Sequence, residues 1–505
     1  MTTLTDRTAL FIDGLWRAPD TSEIIRAVSP FTEQQIGSFP ASVSTDVDAA
    51  VSAARKALRR NDWADLSAAE RARVIRRFAD ELEKRSEDRA SAVTHQNGMP
   101  IELARFAEGA APVQLLRYYA GLAESMPTEE RRASQPMPGT TIVRREPIGV
   151  VAAIAPWNFP AVLSMFKIAP ALAAGCTVVL KPSPETTLDS YILAEAAIAA
   201  ELPAGVINIV TGGPEIGQYL VAHPGIDKVA FTGSTAAGRH IGTVCGGMLR
   251  PVTLELGGKS AALVLDDADV EETVTGLATA SLLNSGQTCY MSTRILVPRS
   301  HSRTYVDAIT AMAEGLQVGD PMEPSTFVGP MVSARQQERV LSLIDQGRSE
   351  GGTVTTGGGR PADLDTGFFV QPTVFADVDN DSTIARQEVF GPVLSVISYD
   401  DVDEAVALAN NSEYGLGGTV WTSDEERGIA IARRVETGSF GVNTFNLDWG
   451  SPFGGVKASG LGRELGPEAR GVPAAQIHFP RILVRIEPPC PTQDSPALVR
   501  WQKTQ

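Results

Sequence analysis

Histidine and cysteine are scarce, five and four residues in a chain of 505. Cys176, Cys245, Cys289 and Cys490 stand far apart and form no Cys-x-x-Cys pair. That spacing suits neither a disulfide framework nor a zinc site, so no metal is expected, and a reduced, cytoplasmic setting is. Positive charge is also short. Lys and Arg number 44 against 60 Asp and Glu, a net charge of -16. Without a cationic surplus to neutralise phosphates, neither nucleic acid nor an anionic membrane is an expected partner. Arg71, Arg73, Arg76 and Arg77 cluster on a helical stretch with interleaved acids and read as a solvated face. Residues 1–10 lack the apolar run of a secretory signal. One uncharged run, 147–166, is long enough to span a bilayer. It contains Pro147, Pro156, Asn158 and Pro160, which make it a buried strand, a turn and a helix start instead.

What is present is ordinary for a globular chain: 43% hydrophobic and 21% charged residues, enough for two large domains or about three of average size. The N-terminal part reads as helical. Ser67-Ala68-Ala69-Glu70 is a capping box, in which hydroxyl and carboxylate satisfy free backbone donors of a first turn. The helix it opens is predicted to run to about residue 96, stopped by Gly98 and Pro100, with another over 102–122. Residues 121–139 shift toward Pro, Ser, Thr and charge, as a crossover would. The period then changes. Short apolar runs at 150–155, 177–180, 206–210 and 228–231 alternate with helical stretches at 161–174, 188–200 and after Gly233. Such alternation predicts an α/β fold with a parallel sheet, whose ligands sit beyond the carboxyl ends of the strands. From about residue 259 the alternation restarts, with strands at 261–265, 295–297, 393–398 and 439–442 and a helix over 269–285. This suggests a second α/β unit. Residues 487–496 are Pro-rich and read as an extended tail.

Several residues could carry chemistry. Cys289 follows a helix end and a glycine turn, a setting that suits a buried small hydrophobe as well as a nucleophile. Glu255, between leucines just before Gly257-Gly258, is either a poorly solvated base or the partner of Lys259. Asn158, in a turn between Pro156 and Pro160, could donate to an oxyanion or close an Asx-turn. Lys181 ends a parallel strand, where it could reach a ribose or phosphate or be merely solvated. Phe231-Thr232-Gly233-Ser234 opens a helix that could present N–H groups to a phosphate. Its glycine spacing is not that of a dinucleotide fingerprint or a P-loop.

Seven segments together change the weight of these readings. They are Ala155-Pro156-Trp157-Asn158-Phe159-Pro160, Leu180-Lys181-Pro182-Ser183, Phe231-Thr232-Gly233-Ser234, Leu254-Glu255-Leu256-Gly257-Gly258-Lys259, Gly286-Gln287-Thr288-Cys289, Glu388-Val389-Phe390-Gly391-Pro392, and Pro452-Phe453-Gly454-Gly455 running on to Gly462-Arg463-Glu464. In this order, from about residue 20 to about residue 480, they make the chain resemble the aldehyde dehydrogenase superfamily of the NAD(P)-dependent, non-phosphorylating, hydrolytic kind.

The resemblance implies that Cys289 is the nucleophile, that Asn158 and the Cys289 backbone N–H hold the oxyanion, and that Glu255 activates the water that hydrolyses a thioester. Lys167 and Glu464 match proton-relay positions. Pro156, Trp157, Lys181, Gly233, Ser234, Glu388 and Phe390 match cofactor positions. The cofactor expected is NAD, with NADP left open. The glutamate that NAD-preferring members often place three residues after the lysine is Pro184 here, and Glu185 follows. Phe159, Leu163, Phe166, Thr288, Tyr290, Phe445 and Phe453 match the substrate tunnel, although the same side chains would also serve as core. They are largely apolar, with no arginine pair for a carboxylate-bearing aldehyde, so an aliphatic, terpenoid or aromatic aldehyde is expected. The implied organisation is a dinucleotide-binding domain from residues 1–123 and 145–257 and a catalytic domain over 258–455. An oligomerisation arm would come from 124–144 and 472–490, with a tail over 491–505, in a homodimer or homotetramer. Segments 140–144 and 481–485 alternate with period two, as exposed pairing strands do. A CoA-acylating relative is the alternative, which Glu255 argues against. A non-catalytic dinucleotide-binding protein is another, against which Cys289, Glu255 and Asn158 together weigh. A cysteine hydrolase would need a partner histidine, and none stands out.

Overall fold

The computed structural model describes residues 5–59, 63, 65–133 and 139–467, and the backbone of 480–487. Its organising element is the strand Val150–Ile154, with all five side chains buried. A strand buried on both faces belongs in the middle of a helix-covered sheet. It pairs in parallel with Thr177–Lys181 on one side and Lys228–Thr232 on the other. The sheet has eight strands in the order Gly460–Leu461, Val252–Glu255, Lys228–Thr232, Val150–Ile154, Thr177–Lys181, Ile207–Ile209, Leu10–Ile12 and Leu15–Arg17. Helices Ala68–Glu83, Ala111–Ser125, Pro160–Ala173 and Leu188–Ala199 pack on one face, and Ser44–Arg59, Pro214–Ala222 and Thr235–Gly247 on the other. The uncharged run 147–166 is the strand, turn and helix start expected of it. Among the described residues no helix is long and apolar enough to cross a membrane.

Register is what places the chemistry. Ile154 lies beside Lys181 and Phe231, and Thr232 beside Glu255. The turns bearing Asn158, Pro182, Gly233 and Gly257 therefore leave four neighbouring strands along one edge. A second, seven-stranded sheet runs Thr353–Thr356, Thr373–Ala376, Val393–Tyr399, Arg294–Pro298, Ala261–Val264, Gly418–Trp421 and Gly441–Val442. Ala261 pairs in parallel with Arg294, so the segment bearing Cys289 enters this sheet beside the chain that has just left Glu255. A third sheet joins Pro480–Glu487, Thr140–Pro147 and Glu129–Ala133, with Leu483 opposite Arg144.

Four expectations are corrected. The N-terminus is not helical from the start: Leu10–Ile12, Leu15–Arg17, Ile24–Val28 and Gln35–Pro40 are strands. The first two have three residues each, too few to show a period, and Phe11 depends on a distant partner, Ile209. The helix predicted from residue 67 to 96 is two, Ala68–Glu83 and Ser86–Asn97. It breaks where the Leu82 carbonyl accepts from the Arg85 N–H (3.2 Å) and from the buried Arg89 guanidinium (3.0 Å). The helix expected over 102–122 contains a wide π turn at Arg105–Ala110. That turn delivers Glu108 to cap the helix Pro160–Ala173, its Oε2 accepting from the Ala161 N–H at 2.6 Å. Finally, Thr140–Pro147 does not alternate cleanly. Ile142 and Val143, neighbours on the central strand of its sheet, are both buried. The tail over 491–505, and residues 472–479 and 488–490 of the expected arm, lie outside the described residues.

Candidate active site

The Asn158 turn and the Cys289 loop are tied together reciprocally. The helix predicted over 269–285 ends early, at Leu282. Asn284, Ser285 and Gly286 then turn left-handed, with φ of 53°, 57° and 73°. Two non-glycine residues in that region persist only where the surroundings hold them. Asn284 Nδ2 donates to the Asn158 carbonyl at 3.0 Å, and Asn158 Nδ2 donates to the Gln287 carbonyl at 3.0 Å. Ser285 Oγ donates to the Gly329 carbonyl, and the Val332 N–H to Gln287 Oε1. Gly286 has to be glycine, because a Cβ there would lie 2.2 Å from the Gly391 carbonyl oxygen. Gly258 is held to glycine by the site itself, since its Cβ would lie 2.3 Å from the carbonyl oxygen of Cys289.

Burial pushes the Cys289 thiol well above the usual thiol range, and the carboxylates of Glu388 and Glu255 push it further. This setting favours the neutral thiol. Glu255 is 3% exposed, and neither carboxylate oxygen has a hydrogen-bond partner. Desolvation, and then repulsion from Glu464, hold its carboxyl well above the carboxylate range, while Lys167 and Arg463 oppose this. Lys259 is not its partner. The Lys259 ammonium is buried without a hydrogen-bond partner and is pushed down to about 7, mainly by burial. Beneath Glu255 lies a different pair. Lys167 Nζ sits 3.0 Å from Glu464 Oε1 and donates to Thr232 Oγ1 at 2.6 Å, fully buried.

On one side of Cys289 opens a cleft of about 440 Å³. Pro156, Trp157, Asn158, Gly233, Ser234, Glu388 and Phe390 all line it. Ser234 Oγ caps the helix Thr235–Gly247 by accepting from the Ala237 N–H at 3.3 Å, so the helix N-terminus faces the cleft. Trp157 and Phe390 meet edge-on at 5.2 Å and 90°. Glu388 Oε1 accepts from the Gly258 N–H at 3.0 Å, and desolvation lifts its carboxyl to about 7. Gln336, Arg339 and Tyr414 line the cleft too. Gln336 donates to the Phe390 carbonyl (2.8 Å) and Arg339 to that of Glu388 (2.9 Å). No local signal marks these three in the sequence; the helix Ala334–Ser349 presents the first two only through packing. Lys181 lies apart from the cleft lining. It is buried, not solvated, donates to the Pro182 carbonyl at 3.0 Å, and is pushed down to about 8 by burial. Glu185 accepts from Ser183 Oγ (2.5 Å) and Arg335 (3.4 Å).

On the other side the surface is apolar. Phe159, Phe166 and Phe453 are buried in one cluster, with Leu163, Tyr290 and Cys289 packed against it. Phe445 stacks on Tyr290, with centroids 4.7 Å apart. Thr288 is buried, its hydroxyl donating to the Leu283 carbonyl at 3.2 Å. Phe159, Leu163, Phe166, Tyr290 and Phe453 thus share one apolar cluster with Cys289, and Phe445 joins it through Tyr290. Among the described residues no group of three or more His, Cys, Asp or Glu could hold a metal.

Comparison with known proteins agrees with this layout. The aldehyde dehydrogenase family model matches residues 16–471. Geranial dehydrogenase from Castellaniella defragrans is 55% identical over 466 residues, covering 92% of this chain and 97% of that protein. Betaine aldehyde dehydrogenase from Beta vulgaris is 40% identical over 464 residues, covering 90% and 93%. A Mycobacterium tuberculosis aldehyde dehydrogenase solved with NAD+ superposes with a TM-score of 0.93 at 44% identity, covering 97% and 99%. A mutant of aldehyde dehydrogenase C from Pseudomonas syringae, solved with NAD+ and octanal, superposes with a TM-score of 0.90 at 37% identity, covering 95% and 96%. With seven ordered segments, two mainly parallel sheets meeting at a cysteine and matches over nearly its whole length, the chain belongs to the aldehyde dehydrogenase family.

Proposed function

We propose that the protein oxidises an apolar aldehyde, aliphatic or terpenoid, to its carboxylic acid with NAD. The observation that carries this is the position of Cys289 between a polar cleft and an apolar aromatic wall. The geranial dehydrogenase likeness and the octanal-bound structural relative support the same substrate class. The cleft fits a dinucleotide. It ends at a helix N-terminus suited to a pyrophosphate, and Glu388 stands ready for a ribose hydroxyl. Trp157 and Phe390 would offer aromatic surface to a planar ring, and Lys181 with Glu185 would serve the adenosine ribose. When bound, NAD supplies the hydride acceptor.

The chain's own residues do the rest. Glu255 takes the Cys289 proton, and the thiolate adds to the aldehyde carbon. The developing oxyanion competes with the Gln287 carbonyl for Asn158 Nδ2 and also takes the Cys289 N–H. Loss of hydride from the thiohemiacetal leaves a thioester. Lys167 and Glu464 relay the Cys289 proton away, which frees Glu255 to deprotonate a water; the resulting hydroxide adds to the thioester, the thiolate leaves and the acid is released. The Thr140–Pro147 sheet, in this reading, is the arm through which copies assemble.

The test is NADH formation with octanal or geranial, beside Cys289→Ala. Turnover should vanish in the variant while NAD binding persists, and the product should be the free acid whether or not CoA is added. Acyl-CoA as the product, or activity that survives Cys289→Ala, would sink the proposal.

A further inference from the structure

Beyond Tyr290 the apolar wall continues along residues 443–452. Phe445, Leu447 and Trp449 are half-buried, while Asn446, Asp448 and Gly450 are exposed. This alternation turns the three apolar side chains inward and the polar ones to solvent, up to the turn that Trp449 enters. Phe445 stacks on Tyr290, the residue next to Cys289. Trp449, at the other end, meets Phe166 edge-on at 5.9 Å and 73°. Leu447 packs against the same cluster. The four steps from Phe445 to Trp449 span at most about 13 Å, which leaves room for a hydrocarbon tail of about eight to ten carbons.

The indole is aimed. Trp449 Nε1–H donates to Gln114 Oε1 at 3.3 Å, from the helix Ala111–Ser125. The Trp449 carbonyl accepts from the Gly466 N–H at 3.0 Å. Asp448 braces the turn, accepting from the Gly450 N–H (2.9 Å) and Ser451 Oγ (2.6 Å). With its N–H satisfied by Gln114, the ring offers only hydrocarbon to the wall.

We propose that Trp449, oriented by Gln114, is the specificity-determining residue that measures the tail of the aldehyde. This rests on the apolar-aldehyde reading above. A rigid aromatic at the far end of the wall rewards tails that reach it and adds little for short ones.

The test compares kcat and KM for propanal, hexanal, octanal, decanal and geranial in wild type, Trp449→Ala, Trp449→Phe and Gln114→Ala. Wild-type kcat/KM should rise with tail length. In Trp449→Ala the octanal and geranial values should fall by about 10- to 100-fold, nearly all in KM, and the propanal value by less than about threefold. Trp449→Phe should restore most of the loss, and Gln114→Ala should lose less in the same direction. A wild type indifferent to tail length overturns the apolar-aldehyde reading and this one with it. A length preference that persists in Trp449→Ala overturns this one alone. If Trp449→Ala does not fold, Gln114→Ala decides, and an unaltered length preference there refutes the assignment.

Discussion

The two walls that meet at Cys289 are built by different means. The cleft wall is made mainly of strand ends. Its residues follow adjacent parallel strands, and register alone sets Ile154 beside Lys181 and Thr232 beside Glu255. The apolar wall is made of side chains from one helix and two loops, Phe166 and Phe445 being 279 positions apart by numbering. A wall of backbone turns tolerates little change, because glycine and proline set its shape. A wall of packed side chains can be recut one residue at a time. This difference suggests why a family can keep one chemistry and vary its substrates.

Perturbations should separate the two walls. The largest effect is expected at their junction. Glu255→Gln keeps the shape but removes the base, and kcat should fall by about 10²–10⁴-fold with NAD affinity unaltered. Stopped-flow NADH formation and titration calorimetry would check both halves; a large change in NAD affinity would place Glu255 in the cleft wall instead. Gly258→Ala attacks the cleft wall, because its Cβ would collide with the Cys289 carbonyl. Displacing a nucleophile by about 1 Å can cost about 10²-fold, so kcat should drop by that order for short and long aldehydes alike. A loss confined to long aldehydes would show the walls to be less independent than drawn here. The smallest effect is a pH dependence. Lys181 carries its charge below about 8. Affinity for ADP-ribose should therefore weaken from about pH 7 to about pH 9, by less than about tenfold per unit, and Lys181→Met should abolish that slope. Calorimetry across that range decides it, and an equal slope in the variant would assign the effect elsewhere.

Legibility in the sequence follows the same division. The capping box at Ser67 and Glu70 forms as expected, with the Glu70 N–H donating to Ser67 Oγ at 3.2 Å and the Ser67 N–H to Glu70 Oε2 at 2.9 Å. All its partners lie within one turn. The strands 150–155, 177–180 and 228–231 were readable because burial on both faces leaves an unbroken apolar run. Leu10–Ile12 was not, because it and its hairpin partner Leu15–Arg17 have three residues each, too few to show a period. Gln336 and Arg339 were invisible for another reason. They are ordinary polar residues on an amphipathic helix until tertiary packing sets them against Phe390 and Glu388.

By itself the sequence determined the alternating α/β plan, the turn chemistry at each strand end and the types of residue available for catalysis. All of these depend on neighbours a few positions away. Only the tertiary structure decided that Asn158 should bind the Gln287 carbonyl, that Lys167 should pair with Glu464, and that Glu255 should be buried without a partner. Those contacts join residues far apart along the chain, and their electrostatics come from the water that packing excludes.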